Sequence, residues 1–426
     1  MKRSILLLSV LITQLSFANI YYVAVDGNDN NAGSKSQPFA TVQKAQSAVQ
    51  PGDTVYLRGG TYLLTEAQVS KKERGYACIT YLDKSGTAGK YISYFNYPGE
   101  TPVFNYEAVK PEGLRVAAFY VTGSYIHLKG FEVTGVQVTI KTHTQSECFE
   151  NWGSNNIYER LSMHDGMAIG FYLLAGSNNL ILNCDAYRNW DYFSENGRGG
   201  NTDGFGCHPR EGSKNNIFRG CRSWFNSDDG FDLINASEAT TFDHCWAFYN
   251  GFKSGGYGLK KVGNEIPNPV PRNTIQFCLA VRNKANGFYS NHHTGGSNWY
   301  NNSAYRNGNN YNMLNRLKDT ALDVPGFDHV MYNNLGYKGG KEIQQIDMAK
   351  CTLSNNYFDM NLQATEADFI SLDESLLTAP RKADGSLPDI DFMKLKPGSQ
   401  FVDKGKDIGF PFKGKAPDPG AFELNK

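Results

Sequence analysis

Ile181-Leu182-Asn183-Cys184-Asp185-Ala186-Tyr187-Arg188-Asn189 returns, altered but recognisable, as Ile217-Phe218-Arg219-Gly220-Cys221-Arg222-Ser223-Trp224-Phe225-Asn226 and as Phe242-Asp243-His244-Cys245-Trp246-Ala247-Phe248-Tyr249-Asn250. Ile275 to Asn283 and Trp299 to Asn307 continue the pattern. Aligned, the copies give two columns. One is Cys184, Cys221, Cys245 and Cys278; the other, five residues on, is Asn189, Asn226, Asn250 and Asn283, extended by Asn307. The spacing is 24 to 37 residues, with the excess in loops. A unit this short cannot bury a face alone, so the units must stack, and short strands without intervening helices make the stack a parallel β-helix in an all-β chain. Like residues then lie about 4.8 Å apart on neighbouring coils. The Asn column reads as a ladder of side-chain amides satisfying polar groups inside a turn. The Cys column reads as small buried packing, because no two cysteines have the CxxC spacing of a metal or redox pair.

Outward from the repeat, the chain keeps the same style. Tyr21 to Val25, Thr54 to Tyr62, Tyr91 to Phe95 and Tyr125 to Phe131 alternate as half-buried strands. Val42, Ala45 and Val49 fall on one face of a short helix, stopped by Pro51-Gly52, that is expected to cap one end of the stack. From Ala364 to Lys426 the repeat is lost and prolines multiply, so this part reads as an irregular tail folded back on a single domain spanning 19–426. At the front, Lys2-Arg3, an apolar run from Ile5 to Leu15 and Ser16-Phe17-Ala18 read as an export signal over residues 1–18. The run is too short to span a bilayer, which points to a secreted or periplasmic protein. The 426 residues carry 42 basic and 42 acidic side chains, so no global field attracts nucleic acid, and any anionic ligand needs a local site. A monomer is expected.

The repeat register also places chemistry. Asn201-Thr202-Asp203-Gly204-Phe205 and Ser227-Asp228-Asp229-Gly230-Phe231-Asp232 repeat an Asp-Gly-Phe context 26 residues apart, so Asp203 should stack on Asp229. Asp228 and Asp232 add two more carboxylates. Asp-Gly in isolation is an ordinary strand terminator. Four aspartates converging on neighbouring coils repel one another and favour a bound cation, and hard oxygen ligands suit Ca²⁺. In the same alignment Tyr257-Gly258-Leu259-Lys260 follows on the next coil, putting Lys260 beside Asp232. A lysine there would have its pKa lowered by the cation and could act as a neutral base.

These motifs resemble polysaccharide lyase family 9, the calcium-dependent pectate and rhamnogalacturonan lyases, whose fold is a right-handed parallel β-helix. The likeness extends to the Tyr-Tyr-Val start and to the closing Leu395-Lys396-Pro397-Gly398-Ser399 and Gly414-Lys415-Ala416-Pro417-Asp418-Pro419-Gly420. It implies Asp203, Asp228, Asp229 and Asp232 as calcium ligands. It also implies a lysine base in a Gly-Phe-Lys-Leu-Gly-Gly stretch, for which the chain offers two candidates. Gly251-Phe252-Lys253-Ser254-Gly255-Gly256 copies the letters, and Lys253 follows Cys245 by eight residues as Asp229 follows Cys221. Counting back from the next Cys column favours Gly258-Leu259-Lys260, because Asn250 already belongs to the ladder and Lys253 then falls in the turn; Lys260 is preferred. The implied reaction is β-elimination on a uronic acid within an acidic plant cell-wall polysaccharide, the pectin backbone. Arg198, His208, Arg210, Tyr289, His292 and His293 flank the same face as candidate sugar or carboxylate contacts. Asn201-Thr202-Asp203 with Asp228-Asp229 also resembles the inverting β-helix glycoside hydrolases of family 28, but the Gly-His-Gly and Arg-Ile-Lys motifs expected there are missing from the following coils. A non-catalytic carbohydrate-binding solenoid would keep the calcium without an aligned lysine.

Overall fold

The computed structural model describes residues 18–251 and 269–424. Within them the chain winds through three long sheets in rotation, one short strand per sheet per coil. The first sheet runs from Ile20–Val23 to Thr352–Ser354, the second from Gly60–Thr65 to Leu335–Tyr337, and the third from Lys71–Glu73 to Phe231–Asp232. Consecutive coils pair in parallel, as in Leu180–Leu182 on Asn216–Arg219 and Asp185–Tyr187 on Arg222–Trp224. A short fourth sheet, Asn286–Tyr289 with Asn309–Asn312 and Lys341–Gln344, continues the wall farther along the chain. The export-signal reading falls outside the described residues, Ala18 apart.

The Asn column is a continuous ladder. The Nδ2 of Asn189, Asn226, Asn250 and Asn283 each donates to the Oδ1 of the next Asn, at 3.1, 3.1, 3.2 and 3.1 Å, and Asn307 donates in turn to Asn310 Oδ1 at 3.0 Å. Each ladder residue follows one in left-handed backbone, such as Arg188 (φ 54), Phe225 (φ 55) and Tyr249 (φ 58), which makes the tight corner between second and third sheets. The same device sits between first and second sheets, and it explains the cysteines. Cys184, Cys221, Cys245 and Cys278 direct Sγ to the carbonyls of Tyr158, Ile181, Phe218 and Phe242 at 3.3 to 3.6 Å. Farther along, Asn302, Asn334 and Asn356 take the same slot, donating Nδ2 to Ile275, Trp299 and Met331 at 2.9, 2.8 and 2.8 Å. The buried thiols thus stand where amides stand in later coils, and all eight cysteines are free.

Asn226 shows what the ladder contributes. Its Oδ1 accepts from the backbone N–H and Nδ2 of Asn189, and its Nδ2 donates to Ala186 O, Ser223 Oγ and Asn250 Oδ1. Asn226→Ala strands several fully buried polar groups at about 1–3 kcal/mol each. Denaturant unfolding should therefore show a loss of about 3 kcal/mol or more; a loss under about 1 kcal/mol would mean the amide is not structural.

The predicted helix forms over Val42–Ala48, capped by the Thr41 hydroxyl, and buries Val42 and Ala45 with Val49 behind them in the core at the N-terminal end. There the third sheet is bordered by Lys71–Glu73, which runs antiparallel to Tyr76–Leu82. The single strand expected over Thr54 to Tyr62 is two. Thr54–Leu57 belongs to the first sheet and Gly60–Thr65 to the second, because the chain turns a corner at Arg58-Gly59, where Glu100 takes up the Arg58 guanidinium and the Gly59 N–H. Beyond residue 364 the chain is irregular, with two short 3₁₀ turns. Leu377, Phe392, Leu395 and Phe401 are buried in the common core. Arg381 and Arg222 both close on the Asp185 carboxylate, at 2.6 and 2.9 Å.

Candidate active site

Phe205 pairs with Phe231 and Gly206 with Asp232 on the last two strands of the third sheet. The Phe205 and Phe231 rings stack inside the wall, 4.9 Å apart, at the end of a column begun by Phe119, Phe149 and Phe171. With the phenylalanines pointing inward, the residues just ahead of each strand are fixed. Gly204 N–H donates to Asp229 O at 3.0 Å and Asp229 N–H to Asp203 Oδ1 at 3.0 Å, so the two Asp-Gly-Phe motifs lie in register. The glycine of each motif has a steric cause. A Cβ on Gly204 would stand 2.0 Å from Ser223 Oγ, and one on Gly230 would stand 2.8 Å from the ladder amide of Asn250. The backbone passes so close over the ladder that only glycine fits.

Asp203, Asp228 and Asp229 each bring a carboxylate oxygen to one point, all within 4.8 Å of one another. Asp203 and Asp228 are buried. Burial first, and then the charges of Asp228, Asp232 and Asp229, push the Asp203 carboxyl well above the ordinary carboxylate range against the Asp229 N–H that favours its ionised form. Burial and the charges of Asp228 and Asp232 do the same to Asp229. The chemistry of this donor set fits a hard cation, since three carboxylates kept ionised at such spacing out of water need a compensating positive charge.

Asp232 lies at the end of the strand and is drawn elsewhere. Its Oδ1 accepts from Ile234 N–H at 3.0 Å, and its Oδ2 faces His208 Nε2 at 3.5 Å. It acts on Asp203 and Asp229 through its charge and stands outside the group of three oxygens. His208 Nδ1 donates to Ile234 O at 2.6 Å and the ring stacks on Tyr172, which leaves Nε2 buried without a hydrogen-bond partner. Tyr289, His292 and His293 line one recess together with Asp229 and Asp232. Tyr289 is pushed up to about 12 by burial and by the charges of Asp323 and Asp229. His292 Nδ1 lies 2.7 Å from Asp323 Oδ1, and His293, lowered by burial, accepts from Gly295 N–H. Arg198 and Arg210 are exposed and, among the described residues, make no hydrogen bond or ion pair to the aspartates; Arg210 lies over the Trp152 ring at 4.6 Å. Lys260 and Lys253, and with them the pairing of Lys260 with Asp232, lie outside the described residues.

Sequence reading passed over the residues that shape the Asp203 turn. Asp191 Oδ1 accepts from Phe193 and Ser194 N–H, Asp191 N–H donates to Thr202 Oγ1, and Ser227 Oγ bonds Gly199 O at 2.6 Å. The one local signal was Asp191 three residues ahead of Ser194, a turn-forming spacing.

Comparison with known proteins gives two family matches. Residues 21–334 match the family described as Pel9A-like, right handed beta helix region, and residues 347–407 match one described as Rhamnogalacturonan lyase-like, C-terminal. A pectate lyase L of Dickeya chrysanthemi is 33% identical over 98% of this chain and 93% of its own length. A structure named rhamnogalacturonan lyase superposes with a TM-score of 0.86 at 46% identity, covering 90% of this chain and 98% of that one. The crystal structure of pectate lyase Pel9A superposes at 0.76 and 31% identity, covering 97% and 98%.

Proposed function

The chain belongs to polysaccharide lyase family 9, the Pel9A-like right-handed β-helices, and on that premise we propose that it cleaves the alternating rhamnose and galacturonate backbone of pectin by β-elimination. The observation that carries this reading is the convergence of Asp203, Asp228 and Asp229 on one point, within a fold shared with lyases. The choice of rhamnogalacturonan over polygalacturonate is supported by the 46% identity to a rhamnogalacturonan lyase, against 31% to Pel9A, and by the match over residues 347–407.

Asp203, Asp228 and Asp229 would hold Ca²⁺, with Asp232 completing the acidic field. Bound there, Ca²⁺ would ligate the substrate carboxylate and acidify the hydrogen at C5. The chain's own part is proton removal: Lys260 Nζ, neutral, takes the C5 proton. The C–H electron pair becomes the C4–C5 double bond, O4 leaves with its bonding pair, and water protonates it. Tyr289, His292 and His293, which share the recess with Asp229 and Asp232, would contact sugar there, and His208 would act from behind through Asp232. The protein would act after export, cleaved near Ala18, as a monomer; no helix among the described residues is long and apolar enough to cross a membrane.

Hydrolysis by an inverting pair needs carboxyls roughly 6.5–9.5 Å apart to admit water. Here Asp203, Asp228 and Asp229 each bring one oxygen within 4.8 Å of the others, an arrangement suited to sharing a cation. Incubation with each polymer separates the readings. Rhamnogalacturonan should yield ultraviolet-absorbing unsaturated uronide ends faster than polygalacturonate does; saturated ends alone would replace elimination with hydrolysis.

A further inference from the structure

The outer face of the third sheet carries a second constructed surface on the coils that precede the aspartates. Strand register places Tyr81, Tyr120, Glu150, Tyr172, Gly206 and Asp232 in one column. At about 4.8 Å per coil, Glu150 stands roughly 10 Å from the coil of Gly206 and Asp203. Trp152, two residues past Glu150, is half-buried. Its Nε1 donates to Glu150 Oε1 at 2.8 Å, and Tyr120 stacks on it, with Tyr81 stacked on Tyr120 in turn. Two guanidinium groups from different turns converge on this indole, Arg74 at 4.1 Å and Arg210 at 4.6 Å from the ring centre. Arg210 reaches it from the coil of Asp203, seven residues on.

Simple packing does not account for this arrangement. Both arginines are exposed, so no burial requires them to meet. Of the acids nearby, Glu150 is attracted by Arg115, Arg74 and Arg210, but burial outweighs their pull. Glu147 and Glu150 are buried, with Glu147 raised well above the carboxylate range by burial and by Glu150, and Glu150 pushed up to about 7 by burial; each keeps one oxygen without a partner. Arg74 has a 3.5 Å contact with Glu73, and among the described residues Arg210 has no ion pair. In a chain of zero net charge, this is a local concentration of positive charge on an aromatic plate. Guanidinium groups held over an indole keep N–H donors that match a carboxylate; among the described residues those of Arg210 have no acid partner, and Arg74 meets only Glu73 through Nε.

We propose that Arg74 and Arg210, positioned by Trp152, form a distal subsite for a uronate carboxylate of the polysaccharide, two coils from Asp203 along the outer face of the third sheet. The identity of the ligand rests on the lyase reading; the anion site does not. The test is electrophoretic retardation in gels containing polygalacturonate, with chelator present so that the aspartates contribute no metal bridge, and with neutral dextran as control. The native protein should be retarded by polygalacturonate alone, and the double variant Arg74→Ala, Arg210→Ala should lose that retardation. Its KM for long polymer should rise about tenfold, the scale of one charged hydrogen bond, while KM for the shortest cleaved oligosaccharide moves by less than about twofold. Trp152→Leu should weaken retardation because the guanidinium groups lose their plate, and Glu150→Gln, which keeps an acceptor for the indole N–H, should preserve it. Retardation and polymer KM both unaltered in the double variant would overturn the subsite. If retardation is lost but neither polymer yields unsaturated ends, the subsite stands and the lyase reading fails.

Discussion

Lys260→Ala is expected to lower the rate of unsaturated-product formation by roughly 10²–10⁴-fold, the usual weight of a general base, while calcium affinity and circular dichroism stay at native values. The reason is division of labour. The lysine makes no bond to the cation in this proposal, so its loss removes proton abstraction and leaves the aspartate site intact. An ordinary lysine titrates near pH 10.4, and a nearby dication lowers that by disfavouring the ammonium form. The native rate should therefore climb with pH until the amine is mostly neutral, and the residual rate of the variant should lack that limb. Lys253→Ala should be mild by comparison. The opposite ranking of the two variants would move the base to Lys253 and shift the coil register between Asn250 and Asn273.

Chelation should abolish activity, and added Ca²⁺ should restore it to the native protein but not to Asp229→Ala. Asp229 sits at the centre of the group, with its own carboxylate in the trio and its N–H on Asp203 Oδ1. Alanine removes a ligand oxygen that Asp203 and Asp228 cannot replace, and a cation seeking six to eight oxygens loses its hold. The metal-free native protein should also melt at lower temperature. A ligand at a hundred times its Kd stabilises the fold by about 2.7 kcal/mol, and chelator withdraws that. Asp229→Asn should behave differently: it relieves repulsion among the buried carboxylates, so its melting temperature without metal should exceed that of the chelated native protein even though activity is lost. Full activity of the native protein in chelator would refute the metal assignment.

The register of the aspartates was legible in the letters because a steric rule wrote them. Glycine must follow Asp203 and Asp229 wherever backbone crosses the Asn ladder, and phenylalanine must follow glycine to fill the wall, so Asp-Gly-Phe recurs with the coil. The Asn and Cys columns were visible for the same reason, one polar slot repeated per turn. That the thiols and Asn302, Asn334 and Asn356 share a slot was not visible, because hydrogen-bond equivalence does not follow letter identity. Nor was the corner at Arg58-Gly59, set by Glu100 on another coil. The Arg74, Trp152 and Arg210 cluster left no trace in the repeat, since its members come from three separate turns that share no spacing. Asp232 was grouped with the other aspartates by coil register and resemblance; its contacts with Ile234 N–H and His208 were not visible, because they depend on how the chain turns after the strand.

The antiparallel strand Lys71–Glu73 and the helix Val42–Ala48 have a bearing on assembly. A stack of parallel strands is a template at its ends, and a bare terminal coil invites the first coil of another molecule to dock and extend the wall into a fibre. Here the bordering strand of the third sheet runs the wrong way for such an addition and exposes Lys71 and Lys72 along its edge, while the helix fills the mouth of the barrel-like interior. At this end of the stack the third sheet therefore offers no edge matched to a further parallel strand, which disfavours lengthening of the wall by a second copy from that side.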